Sequence, residues 1–265
     1  MLRLIKSFVR KGLSYTPYEV RRRPRFPERL LPKPTLENIQ LLLAIYCQTR
    51  PMARFVQIGA CDGVSGDVVH GFIKNSSLRA LVVEPVPQTF EKLRKTYENV
   101  STVTAAQVAI GTTDGSVTMF KVKDGAHSID PNWSHQLASF NREHLLLHGV
   151  PEDEIQPITV PSLTLRSLLA RFNFDGVDVL QVDTEGFDAE VVRMALELVE
   201  PPECINFENL HLTAGAKAEL FPLLESKGYL WTHDRWNTLA VQEKILKEWM
   251  SAAAMNEWDP QKGSV

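Results

Sequence analysis

The chain has 265 residues, with 44% hydrophobic and 23% charged side chains, so its length and composition exclude a disordered, collagenous or membrane-embedded protein. The formal net charge of -3 conceals a split: residues 1–35 carry ten Lys/Arg against two Glu (+8), and the remainder carries 19 basic against 30 acidic residues (-11). Three widely spaced cysteines (Cys47, Cys61, Cys204) without a C-x-x-C pair support neither a disulfide framework nor a zinc site, and point to a reducing compartment.

Residues 1–13 read as a short basic amphipathic helix, because Arg3, Lys6, Arg10 and Lys11 interrupt any secretory h-region. A cytoplasmic location is therefore expected. Residues 14–34 hold five prolines among arginines and read as an extended connector. A helical run from Thr35 ends before Pro51 and is expected to cover the main domain. Residues 1–51 thus form an arm, connector and covering helix; 52–242 form the catalytic-type body; 243–265 form a last helix and tail.

Within the body, short apolar runs at 55–58, 80–83, 102–110, 177–182 and 204–207 alternate with helical patterns at 65–75, 87–98, 163–172, 187–199 and 213–227. Alternation of this kind predicts βαβ units and a mostly parallel, buried sheet. Residues 229–234 and 238–242 read as a terminal antiparallel pair. The turn signal Thr113-Asp114-Gly115-Ser116 predicts a hairpin over 111–125. The histidine-rich stretch to residue 150 then reads as an insertion and lid, about 123–150.

Ligands of open α/β sheets bind at the carboxyl ends of the strands. The first strand runs into Gly59-Ala60-Cys61-Asp62-Gly63, a turn that lets backbone approach a ligand but lacks both G-x-G-x-x-G and a P-loop lysine. Glu84 ends the second strand twenty-five positions past Gly59 and is suited to accept hydrogen bonds from ribose hydroxyls.

Four segments, Gly59–Gly63, Val83-Glu84-Pro85, Ala109-Ile110-Gly111 and Val182-Asp183-Thr184-Glu185-Gly186, together resemble the FkbM-type S-adenosylmethionine-dependent methyltransferases over roughly residues 52–240. The resemblance implies a class I methyltransferase (Rossmann-like) α/β fold, a seven-stranded mostly parallel sheet with an antiparallel last strand. It implies methylation of hydroxyls on sugars or secondary metabolites. By position, Gly59, Ala60, Asp62, Gly63 and Ser65 would line the donor's methionine part, Glu84 and Pro85 its ribose, and Gln107-Val108 its adenine. Asp183 and Glu185 would also contact the donor. Gln57, Cys61 and Gln181 depart from the family's usual Asp, Asn and Lys.

A hydroxyl acceptor needs help losing its proton, from a base or a metal. Asp183 and Glu208-Asn209 end adjacent strands, so Asp183, Glu208 and Asn209 form a candidate Mg²⁺ set, similar to the triad of catechol-type O-methyltransferases. The metal-free alternative makes His211 or Asp183 the base. His144 and His148 are an i, i+4 pair able to bind metal, but no H-E-x-x-H acid accompanies them. His127 and Trp133 are candidate contacts to a glycan or small-molecule acceptor.

A nicotinamide oxidoreductase fits the ribose-binding acid but not the glycine spacing, and a non-catalytic nucleoside-binding domain is a further alternative. Nucleic-acid methylation is disfavoured, because no Asn/Asp-Pro-Pro-Tyr-like motif occurs and the body is acidic. The basic arm is expected to contact a membrane surface or a second copy of the chain.

Overall fold

The computed structural model describes residues 37–130, 134–234 and 236–255. The basic arm, its connector, Trp133 and the tail beyond residue 255 lie outside the described residues. No described helix is long and apolar enough to cross a membrane.

Five parallel strands build the centre: β1 (Arg54–Ile58), β2 (Arg79–Val83), β3 (Val103–Ala106), β8 (Val179–Val182) and β9 (Cys204–Glu208). They pair in the order β9-β8-β1-β2-β3, and β11 (Asn237–Gln242) joins β9 antiparallel, with β10 (Tyr229–His233) outside it. This order, with its reversed last strand, is the class I methyltransferase topology that the motifs implied. The strands are apolar along nearly their whole length because helices cover both faces. Four of the five residues in β1 and in β2 are buried, as are all four in β8.

One face packs Val56, Leu81, Leu180 and Phe207 against the helices α5 (Leu165–Arg171), α6 (Asp188–Leu196) and α7 (Ala214–Ser226). The other packs Phe55, Ala80, Val82 and Cys204 against α1 (Asn38–Thr49), α2 (His70–Asn75), α3 (Pro87–Thr96) and α8 (Glu243–Met255). In α1 the residues Ile39, Leu42, Leu43 and Tyr46 are buried, an i, i+3, i+4, i+7 stripe that seats the helix on the sheet. Tyr46 meets Trp249 of α8 edge-on at 5.4 Å. Gly228 closes α7 at φ +79, where the left-handed residue after a helix favours glycine.

At the amino edge, Arg54 spans the β1–β8 seam. Its Nε and guanidinium reach the two oxygens of Asp178 at 3.1 and 2.6 Å, and its backbone N–H donates to the same carboxylate. Such a two-pronged, half-buried pair fixes register better than an exposed one.

The segment after β3 differs from the expected hairpin. The run 102–110 divides: β3 stays in the main sheet, while β4 (Ala109–Ile110) enters a second sheet ordered β4-β7-β5-β6. There β5 (Gly115–Val122) pairs antiparallel with β7 (Ile155–Leu163), not with the run preceding it. Asp114 explains the difference. Its carboxylate accepts from the Thr164 N–H and the Ser167 hydroxyl at the start of α5, so the turn is tied to a helix start fifty residues on. Pro157 and Pro161 hide β7 in the sequence, since proline is rare inside strands. The insertion carries its own small core of Val122, Ile129, Leu137, Leu145, Val150 and Ile155. Within it lie β6 (Ala138–Ser139) and α4 (Arg142–Leu147), the latter capped by Asn141 through the Glu143 N–H. The helix expected over 65–75 shortens to α2, because residues 59–69 form the ligand-edge loop.

Candidate active site

A cavity of about 290 Å³ opens at the carboxyl ends of β2, β1, β8 and β9. Its floor is Gly59-Ala60-Cys61, where Gly59 and Ala60 both donate backbone N–H to the Val83 carbonyl. Gly59 has φ +81, and a Cβ there would lie 1.7 Å from the Asp183 carbonyl oxygen. The close approach of these two strand ends requires glycine.

Of the residues that the sequence put forward, Glu84, Pro85, Ser65, Val108, Asp183, Glu185 and Glu208 line the cavity. The Glu84 carboxylate is 6% exposed and accepts N–H from Cys61 (3.1 Å) and Val86 (2.8 Å). Burial pushes its pKa from 4.5 to about 7. The folded state therefore binds a proton that the unfolded chain releases between pH 4.5 and 7, and stability falls as pH rises through that window. At 1.36 kcal/mol per unit the loss is about 3 kcal/mol. Glu84→Gln should flatten this slope in urea denaturation at pH 5 and pH 8; an unchanged slope would assign it to another group.

Other residues are placed differently. Asp62 turns back on its own loop, accepting from the Val64 and Ser65 N–H groups and the Ser65 hydroxyl; it organises the turn without lining the cavity. Gly63 packs under Tyr97 and Leu93, and Gln107 is exposed outside the cavity. His127 is exposed, with its backbone N–H on Glu154. From the insertion it is His135, Gln136, Ala138 and Phe140 that line the cavity.

The expected Mg²⁺ set is not assembled. Asp183 and Glu208 share the cavity wall, but the Asn209 side-chain amide donates to the Thr238 hydroxyl at 3.1 Å and does not line the cavity. Asp183 is exposed into the cavity yet surrounded by protein; that desolvation, then the charges of Glu185, Asp188 and Glu208, raise its pKa well above the usual carboxylate range. Burial and the Glu185 charge push Glu208 up to about 8. One Glu208 oxygen, Oε2, is buried without a hydrogen-bond partner. His211 does not line the cavity; its Nε2 lies 3.6 Å from Glu208 Oε1.

Behind this wall three imidazoles converge, which chain spacing did not reveal. His144, on α4, contacts Glu185 Oε2 through Nε2 at 2.7 Å. His148 follows at the helix end, and the rings of His144, His148 and His211 sit 4.4–5.0 Å apart. Burial and the charge on His144 push His148 and His211 below the ordinary imidazole pKa. Glu185 adopts φ +53, an uncommon backbone for this residue type, and its carbonyl is held by the Ser139 hydroxyl.

The departures from the family pattern also sit at the cavity. Gln57 donates to Asp67 while its Oε1 is buried unpartnered, and Gln181 accepts from the Asn206 amide. Six carboxyl side chains line the cavity (Glu37, Asp67, Glu84, Asp183, Glu185, Glu208), and no Lys or Arg stands among its described lining residues.

Comparison with known proteins bears on this geometry. No curated protein sequence matches. Among solved structures, an FkbM methyltransferase from Methylobacillus flagellatus KT aligns with 16% identity and TM-score 0.45 over 72% of this chain. This chain spans 44% of that protein. An O-methyltransferase from Bacillus cereus in complex with SAH aligns with 12% identity and TM-score 0.42, covering 80% of this chain and 84% of that one. Aeropyrum pernix fibrillarin with natively bound S-adenosyl-L-methionine gives 12% identity and TM-score 0.39, covering 76% and 74%. Likeness this distant decides nothing about chemistry. The profile of the methyltransferase FkbM domain matches residues 57–230, about two thirds of the chain, and the chain belongs to that family.

Proposed function

We propose that the protein transfers a methyl group from S-adenosylmethionine to a hydroxyl of a sugar, glycan or secondary metabolite. The observation that carries the reading is the charge of the cavity. A wall with six carboxyls and no Lys or Arg among its described residues favours a ligand bearing positive charge, as this donor does at its ammonium and sulfonium. The same wall offers the pyrophosphate of a nicotinamide dinucleotide no described Lys or Arg to pair with.

The residues fit the donor along its length. Glu84 has its carboxylate pinned by two N–H groups on the protein side, leaving its remaining lone pairs for ribose hydroxyls. Val108, Ile110, Met119 and Phe140 supply an apolar wall for adenine. Gln57, with its unpartnered Oε1, and Asp183 line the cavity and are the groups suited to meet the donor's ammonium. When bound, the donor supplies an activated methyl group.

The chain's own work is then orientation and proton transfer. Asp183 abuts Gly59 through its backbone and holds the donor side. Glu208 ends the next strand outward, beside Trp236 and Asn237, and holds the acceptor side. In its ionised form Glu208 can take the hydroxyl proton at Oε2 as the oxygen–methyl bond forms and the sulfur–methyl bond breaks, leaving a neutral thioether. Fixing both partners in line contributes several kcal/mol of the barrier reduction.

Titration with S-adenosylmethionine and with NAD tests the reading, followed by turnover on a panel of hydroxylated sugar acceptors. Binding of NAD in preference to S-adenosylmethionine would overturn it, as would methylation only of nitrogen or carbon acceptors. The basic arm, residues 1–34, serves location or assembly, at a membrane surface or against a second copy. Deleting it should leave donor affinity within about twofold of the full chain; loss of donor binding would place the arm in the active site.

A further inference from the structure

We propose that His144, His148, His211 and Glu185 bind a divalent first-row transition-metal ion of the zinc type. One ring nitrogen from each histidine and one oxygen of Glu185 lie within 4.8 Å of one another. Two contacts are measured directly: Glu185 Oε2 is 2.7 Å from His144 Nε2 and 4.0 Å from His148 Nε2. Ligands 2.0–2.1 Å from a tetrahedral zinc are about 3.3 Å from each other, a value that these two distances bracket.

The donor chemistry selects the ion. Three imidazoles and a carboxylate suit zinc and its first-row neighbours, whereas Mg²⁺ demands oxygen ligands. The surroundings also suit a cation, since Asp183, Asp188 and Glu208 all lie near Glu185. Packing of aromatic rings alone does not explain an arrangement in which two rings turn Nε2 toward Glu185 and a third, His211, has a ring nitrogen within 4.8 Å of the set, while its Nε2 lies 3.6 Å from Glu208. The backbone of Glu185 at φ +53 is the kind of strain that collects at functional positions.

The ligands come from separated parts of the fold. His144 and His148 belong to the insertion, Glu185 to the loop after β8, and His211 to the loop after β9. An ion here clamps the insertion onto the strand ends and fixes the cavity wall that Glu185 shares. A second cluster, Cys61, Asp62 and His135, is the rival. Its carboxylate is already committed to the Val64 and Ser65 N–H groups and the Ser65 hydroxyl.

Metal-stripped full chain, titrated calorimetrically with Zn²⁺ and separately with Mg²⁺, tests the site without reference to activity. One Zn²⁺ per chain is expected, with Mg²⁺ at least 100-fold weaker. His148→Ala and His211→Ala should each weaken Zn²⁺ by more than the ~10–100-fold that losing an outer partner costs. The unsubstituted protein with Co²⁺ gives a readout independent of any variant's folding: visible ligand-field bands without a thiolate charge-transfer band. Absence of Zn²⁺ binding, equal binding of Mg²⁺, or a thiolate band abolished by Cys61→Ser would overturn the proposal. Because the readout is metal binding, failure here leaves methyl transfer standing, and failure of methyl transfer leaves this test intact.

Discussion

Glu208→Gln should lower kcat by about 100- to 10,000-fold, the usual cost of removing a positioned general base, while leaving donor affinity near that of the native protein. The glutamine keeps the volume and one acceptor oxygen of the glutamate, so the β9 end should retain its shape. What it loses is the ability to take a proton. Glu208 lines the cavity with Oε2 buried and unpartnered, a costly state for a carboxylate unless a ligand completes it. Asp183→Asn should separate from it, raising the donor KM because Asp183 faces the donor end. Single-turnover kinetics at saturating donor distinguishes the two. If Glu208→Gln turns over at the native rate, Glu208 is not the base and the assignment fails.

The second large effect concerns folding. Gly59→Ala should cost more than about 4 kcal/mol, in the range where a single named steric fault dominates. The new Cβ would fall 1.7 Å from one backbone atom of Asp183 and 2.8 Å from another. Neither is a flexible side-chain end that can swing away, and φ +81 adds strain for any L side chain. Relief requires β1 and β8 to part at the edge where both present ligands. Gly71→Ala is the matched control: it lies in α2 with nothing within 4 Å of its added Cβ. There alanine should be neutral or stabilising by roughly 0.5–1 kcal/mol. Urea denaturation of both variants decides the matter, and a Gly59→Ala protein within 1 kcal/mol of native would disprove the clash.

Much of the main sheet was legible in the sequence because a buried parallel sheet imposes a repetitive local pattern. The runs at Phe55, Ala80, Val177 and Cys204 are continuous apolar segments bounded by turns, and that signal is local. Glu84 and Asp183 were legible for the same reason: each terminates such a run. The second sheet was not, because β7 contains Pro157 and Pro161 and its partner β5 lies more than thirty residues away. The turn at Asp114 looked like a hairpin because its cap on α5 is a long-range contact. The imidazole cluster was hidden for a related reason. Only the i, i+4 spacing of His144 and His148 is visible along the chain; Glu185 and His211 join them through tertiary folding. Asp62 and Asn209 show the converse: both stand near strand ends, but Asp62 is held by N–H donors of its own loop and Asn209 by the Thr238 hydroxyl of β11.

The join between the two sheets has a practical consequence. The chain leaves the main sheet through β4 and returns through the end of β7, and these run side by side with Ala109 opposite Ser162 and Ile110 opposite Leu163. Entry and exit of the whole insertion therefore meet at one doorway, and the segment between carries its own apolar centre. The block from Gly115 to Ser162 is thus built like an interchangeable cartridge. Transplanting it between relatives would replace Met119, His135, Gln136, Ala138 and Phe140 of the cavity wall while leaving the Gly59 turn and Glu84 untouched, so one wall of the site can diverge without rebuilding the strand ends.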